Sequence, residues 1–229
     1  MKQIKNMLIA VIAITFLSTS AFAGNFGLGV TGSIAVVEGS GSEKVLTTDT
    51  GVENSVTKAN ASNQAFVGSV FLEYTMDSLG GMTFGIDWMP GSAEVNKDKI
   101  SRTDVTANGT ETTQDDGTSS AQAEISNHLT YYAELPLHAG TFIKAGFVQI
   151  DVDTVDTTSV TGGGLYGNTT VDGYLFGAGY KSDFGTNGFY KLEGTMTSFD
   201  SLTLASSTDN SITADLDVTK LTLAYGYKF

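Results

Sequence analysis

The last nine residues, Leu221-Thr-Leu-Ala-Tyr-Gly-Tyr-Lys-Phe229, alternate between apolar and small or polar side chains. Phe229, Tyr227, Tyr225, Leu223 and Leu221 share one face, and Lys228, Gly226, Ala224 and Thr222 share the other. A period of two is the signature of a strand with unlike faces. A soluble sheet has no reason to finish on an outward aromatic. In a transmembrane barrel, such a residue sits at the water–lipid boundary. A chain that crosses lipid with strands must close them into a ring, because an open edge leaves backbone groups unpaired in hydrocarbon. This one segment therefore points to a closed antiparallel barrel.

The other end agrees. Lys2 and Lys5 precede the apolar stretch Met7 to Leu17, and Ala21-Phe22-Ala23 has the small-x-small form of a cleavage site. Residues 1–23 are expected to be a cleaved signal peptide and 24–229 the barrel. Beyond Leu17 no apolar run approaches the roughly 18 residues a membrane helix needs. With no cysteine, there is neither a lipid-anchoring thiol nor a disulfide. Both prolines, Pro90 and Pro136, fall where strands are expected to end, where the ladder tolerates them. The net charge of −13 becomes −15 once Lys2 and Lys5 are removed. Such a surface excludes nucleic acid as a natural partner.

Alternation recurs at eight places. They are Phe26 to Val36, Phe66 to Tyr74, Met82 to Trp88, Ile125 to Leu135, Thr141 to Val152, Tyr174 to Tyr180, Tyr190 to Met196, and the terminal strand. Residues 77–81, 138–140 and 182–188 read as short turns. Residues 38–63, 90–120, 153–169 and 200–213 read as long polar loops. Short connections on one side and long ones on the other is the pattern of outer-membrane barrels. An even strand number puts both termini on the short-turn side, which would be periplasmic.

Tight turns allow the register to be predicted. The first hairpin is expected to set Tyr74 opposite Phe84, Leu72 opposite Ile86 and Val70 opposite Trp88. The second sets Leu135 opposite Ile143, Tyr131 opposite Phe147 and Glu134 opposite Lys144. The third sets Tyr180 opposite Tyr190, Phe176 opposite Gly194 and Tyr174 opposite Met196. Apolar residues then meet on one face throughout, as register demands, since a one-residue slip would turn every side chain over. With Lys144 inward, Val148 and Ile150 also point into the lumen, which this reading assigns to a bulge. Phe26, Tyr74, Phe84, Tyr180 and Tyr190, with Tyr227 and Phe229, form an aromatic girdle at the short-turn end. Trp88, Phe66 and Tyr174 belong to the opposite girdle.

On the terminal strand, the eight segments and the loop alternation, the chain resembles small eight-stranded outer-membrane barrels of the OmpA/OmpX type. The resemblance covers the whole barrel in pattern and the last strand at motif level. It implies that Tyr225, Tyr227 and Phe229 help the barrel assembly machinery recognise the chain, so losing Phe229 should impair assembly. It also implies interior salt bridges that close the lumen and can rearrange into a narrow pore.

The predicted inward faces carry Glu73, Asp87, Glu124, Glu134 and Glu193, with Lys144, Lys181, Lys191, Lys220 and Lys228, and His128 beside them. An unpaired buried charge costs several kcal/mol, so equal numbers suggest a luminal charge network. His128-Leu-Thr130, with Glu124 and Glu134 at the same parity, is the only arrangement hinting at catalysis. It lacks the nucleophile geometry of a hydrolase, and a histidine in the luminal network is the preferred reading. Asp151, Asp153 and Asp156 lack the glycine and terminal glutamate of a calcium loop. No catalytic residue, cofactor or metal site is assigned.

The expected function is an outer-membrane structural and surface-interaction protein, with acidic extracellular loops and a largely filled lumen. The alternatives are a narrow channel for small solutes and, third, a lipid-modifying enzyme. Expected partners are outer-membrane lipid and lipopolysaccharide, the barrel assembly machinery, and an unidentified loop ligand. The protein is expected to be a monomer.

Overall fold

The structure is a computed structural model that describes residues 26–46, 53–95, 100–106, 115–159, 165–206 and 210–229. The leader and Gly162 to Gly164 lie outside them. The described residues form eleven strands: β1 (Phe26–Leu46), β2 (Glu53–Met76), β3 (Met82–Met89), β4 (Ala93–Glu94), β5 (Ile100–Thr106), β6 (Asp115–Pro136), β7 (Thr141–Thr158), β8 (Thr169–Phe184), β9 (Gly188–Phe199), β10 (Leu202–Ala205) and β11 (Ser211–Lys228). Eight of them form the wall in the order β1-β2-β3-β6-β7-β8-β9-β11, all neighbours antiparallel, and β11 pairs with β1 to close the ring. β4 and β5 prolong the line of β3 along β6, and β10 prolongs β9 along β11. The closing register sets Leu28 against Tyr227 and Ile34 against Leu221. The Phe229 amide donates to the Phe26 carbonyl, so both ends of the ring meet at one rim.

Closure leaves the outward side chains without partners inside the chain. Phe66, Met196 and Phe176 are 80%, 68% and 66% exposed. On β1 the apolar belt runs from Leu28 to Val36 and stops at Glu38, about the 9–11 residues a tilted strand needs to cross a bilayer. Aromatics edge it: Phe26 stacks on Tyr74 with centroids 4.8 Å apart, and Tyr227 meets Phe229 at 5.3 Å. A closed ring with an apolar outer belt is a transmembrane β-barrel.

The first two hairpins hold the predicted pairs, Tyr74–Phe84 and Glu134–Lys144 among them. The third is corrected by two residues. Tyr180 faces Leu192, Phe176 faces Met196 and Tyr174 faces Ser198. The cause is a turn centred one residue later than expected, with Gly185 left-handed at φ 62°. Moving the turn centre by one shifts the pairing by two, so the faces are kept.

A second correction concerns the bulge. β7 has none: Phe142, Lys144, Val148, Ile150 and Val152 are all buried at one parity. The irregularity lies in β6 between Ser126 and Leu129, where Asn127 adopts φ 48°. An extra residue there exchanges the two faces of the strand. Below it His128, Thr130 and Tyr132 point in; above it Ile125 does.

The long polar loops are also corrected, being largely strand. β1 and β2 pair from Phe26–Tyr74 to Leu46–Glu53, and β6 and β7 pair as far as Ser119–Thr158. Above the belt these hairpins are rich in polar and small residues, and hydroxyls pair across them, as in Ser119–Thr158 and Ser120–Thr157. Such ladders are stable β-structure but show no apolar period.

Candidate functional site

The inward faces stack in levels. At the rim shared by the termini, a vestibule of about 590 Å³ is lined by Glu73, Glu134, Phe142, Lys181 and Lys228, among others. Lys228 pairs with Asp183 at this mouth, where Asp183 is exposed.

Next comes a charged layer. Lys191, 1% exposed, contacts Glu73 and lies 2.8 Å from Glu134. Lys181 donates to Glu73 at 2.6 Å, and Lys144 to Glu193 at 2.8 Å with Glu134 at 3.6 Å. Three carboxylates thus face three ammonium groups. Tyr132 donates weakly to Glu73 at 3.4 Å, and its ring lies 3.9 Å beneath the Lys144 ammonium. Attraction in a dry interior offsets desolvation only when each charge is paired and hydrogen-bonded, and here each is.

Four aromatic side chains frame this layer, each directly across from a glycine: Phe71 on Gly29, Tyr132 on Gly85, Phe142 on Gly179 and Phe189 on Gly226. A Cβ at any of the four glycines would collide with the facing ring. The four pairs use all eight wall strands once.

Above the charges lies a level of hydroxyls. Ser33 bonds Thr222 at 2.8 Å, and Ser69 donates to Asp87 at 2.7 Å. A void of about 20 Å³, room for one water, is bounded by Asp87, Thr130, Thr195, Lys220 and Thr222. Asp87 and Lys220, three strands apart around the ring, share this void. His128 and Thr130 are buried, and neither ring nitrogen of His128 nor the Thr130 hydroxyl has a hydrogen-bond partner among the described residues.

The lumen then turns apolar. Ala35, Val37, Val148, Ile150, Val152, Val171, Leu175, Phe199, Leu216 and Val218 pack with Val95 and Ile125 into one buried cluster. Val148 and Ile150 have no exposed surface. Full burial of such a side chain is worth about 1.5–3 kcal/mol.

The predicted charge group therefore divides. Glu73, Glu134, Lys144, Lys181, Lys191 and Glu193 are brought together; Asp87, Lys220 and His128 sit one level above them. Glu124 does not join them. The bulge at Asn127 turns it to the other face, opposite Asp153 and Glu94. Tyr225 and Tyr227 face outward with Phe229 beyond them, and Phe26, Tyr74, Phe84, Trp88, Tyr180 and Tyr190 all lie at outward parity on their strands. Asp151, Asp153 and Asp156 hold local hydrogen bonds: Asp151 accepts from Asn127 and Thr170, Asp153 from Ser126, and Asp156 from the Tyr166 amide.

Reading the sequence missed the luminal aromatics and the plug. The signal was present: Phe71, Phe142 and Phe189 fall at inward parity, as do Val148, Ile150 and Val152 once Lys144 is placed inside.

The architecture is that of the small eight-stranded outer-membrane barrels of the OmpA/OmpX type. No known protein family and no curated protein matches the sequence. Among solved structures the chain is similar to Neisserial surface protein A, with 11% identity over 89% of this chain and 97% of that one, at a TM-score of 0.41. It is similar to the outer membrane protease OmpT from Escherichia coli, with 10% identity over 90% and 97%, at 0.46. It is also similar to OprG from Pseudomonas aeruginosa, with 12% identity over 90% and 96%, at 0.40. The closed register and the apolar belt, rather than these likenesses, define the fold.

Proposed function

We propose that this protein is a closed structural barrel of the bacterial outer membrane that displays long acidic hairpins at the cell surface. The observation that carries the reading is the doubly blocked lumen, a fully paired charge layer beneath a largely apolar plug. The strand extensions beyond the belt supply the surface for an external ligand, and their acidity disfavours anionic partners. Outer-membrane lipid and lipopolysaccharide cover the belt. The ring closes on its own strands, which fits a monomer. Tyr225, Tyr227 and Phe229 stand outward at the rim, as a signal read by the assembly machinery would. The short turns and both termini face the periplasm.

Catalysis is not part of this reading. His128 and Thr130 lie beneath the plug, and Glu124 is on the opposite face of its strand, so no substrate on the surface meets the three together. The protein works without a cofactor.

Planar-bilayer recording of the refolded barrel tests the proposal. It expects rare, brief, small openings at most. Steady current with salt-dependent ion selectivity would replace it with the narrow-channel reading.

A further inference from the structure

The plug has an upper surface, and the described residues leave the space above it unfilled. A cavity of about 300 Å³ opens there, inside the part of the ring that rises beyond the lipid belt. Its floor and walls include Val95, Val152, Leu202, Leu204, Ile212 and Leu216. The space exists because the inward positions at this level are small: Gly39, Gly41, Ala59, Ala61, Ala123 and Ala214. Two residues lower on the same strand, Val37 fills the lumen. The strand could continue that filling and does not. Apolar walls with a few polar groups, at this volume, are the usual make-up of a small-molecule pocket.

Charge narrows the ligand class. Glu43 and Asp156 stand at inward parity around the cavity, and Asp215 lies at the same level on the outer face of its strand. Tyr166 donates its hydroxyl to Glu43 and its amide to Asp156, both at 2.6 Å, and Ser201 donates to Asp215. These acidic side chains at the rim disfavour a negatively charged ligand by like-charge repulsion. Serine and threonine hydroxyls between them offer hydrogen bonds to a neutral head.

We propose that this cup binds a small, predominantly apolar molecule without negative charge, taken up from the outside and stopped by the plug. The site goes beyond the structural role above. A conducting barrel would end that reading and the stop at the plug but not binding in the cup; an empty cup would end this proposal and leave the structural role standing.

The test uses the barrel in lipid nanodiscs with neutral N-phenyl-1-naphthylamine as probe, corrected with empty nanodiscs. Saturable one-to-one binding is expected. Ala61→Phe, which fills the cup, should weaken it at least tenfold, while Ser62→Phe, on the opposite face of the same strand, should leave it unchanged. The sulfonated analogue 8-anilinonaphthalene-1-sulfonate should bind at least tenfold more weakly. If Ala61→Phe fails to fold by heat-dependent gel mobility, Ala214→Leu takes its place. Native mass spectrometry separates the sources of an apolar occupant. A co-purified lipid displaced by the probe would assign the cup to an acyl chain, and a bare barrel that takes up the probe would assign it to a free molecule. Binding no greater than to empty nanodiscs, or binding indifferent to both filling variants, would overturn the proposal. Equal affinity for the sulfonate would overturn its charge selectivity.

Discussion

Lys144 and Ile150 lie on one face of one strand, yet they belong to layers that close the lumen by unlike means. Around Lys144 the filling is charge on charge, framed by aromatic rings, with every ammonium and carboxylate engaged. Around Ile150 it is mostly methyl on methyl, with the buried Thr197 hydroxyl between Leu175 and Val218 as a polar exception. A charged layer is all-or-none: removing one member leaves its partners buried and uncompensated. An apolar layer is graded: its cost follows the volume removed. Two adjacent levels of one barrel thus differ in which substitution they tolerate.

The largest effect is expected from Lys191→Met, which keeps volume but leaves Glu73 and Glu134 facing each other. A loss of about 3–5 kcal/mol is expected, read by urea unfolding in lipid with gel mobility as the signal. Adding Glu73→Gln should recover part of it, and a loss under 1 kcal/mol would show that the layer is not a unit.

Ile150→Ala should cost about 2–5 kcal/mol and Ile150→Val about 0.5–1.5 kcal/mol, by the same unfolding assay. Equal costs for the two would mean that the plug is not close-packed. Gly85→Ala comes next. Its methyl must displace the Tyr132 ring, a cost of about 1–3 kcal/mol for overpacking, and Tyr132→Ala in the same chain should cancel most of that increment. The smallest effect belongs to Lys228→Gln. Its ion pair with Asp183 lies at the solvated mouth, where exposed pairs contribute about 0–1 kcal/mol. A midpoint shift as large as that of Lys191→Met would extend the charged layer to the rim.

The sequence disclosed those features that repeat with a period of two and that a tight turn anchors. The pairs Val70–Trp88 and Leu135–Ile143 follow from that alone. Where the turn has three residues, 185–187, its centre was misjudged by one, and the pairing moved by two. The bulge left a weaker trace. Ser126-Asn127-His128 holds no glycine, and only the tolerance of asparagine for a left-handed backbone marks the place. Glu124 was misassigned for that reason. Val148 and Ile150 were legible in position but not in meaning, because a lumen was expected to be polar. The strand extensions escaped because serine and threonine on both faces show no contrast between them. The cup is written in single small residues on several strands: Gly39 pairs with Ala61 inside one hairpin, and closing the ring brings Ala123 and Ala214 to the same end.

The four aromatic–glycine pairs have a consequence for how the ring is made. Each joins the two strands of one long hairpin: β1 with β2, β3 with β6, β7 with β8, β9 with β11. None bridges two hairpins. Every hairpin therefore carries its own share of the barrel's interior and its own check on alignment before it meets its neighbours. Closing the ring then amounts to docking four prefilled units, with the lysines and glutamates of one hairpin finding their counterparts on the others.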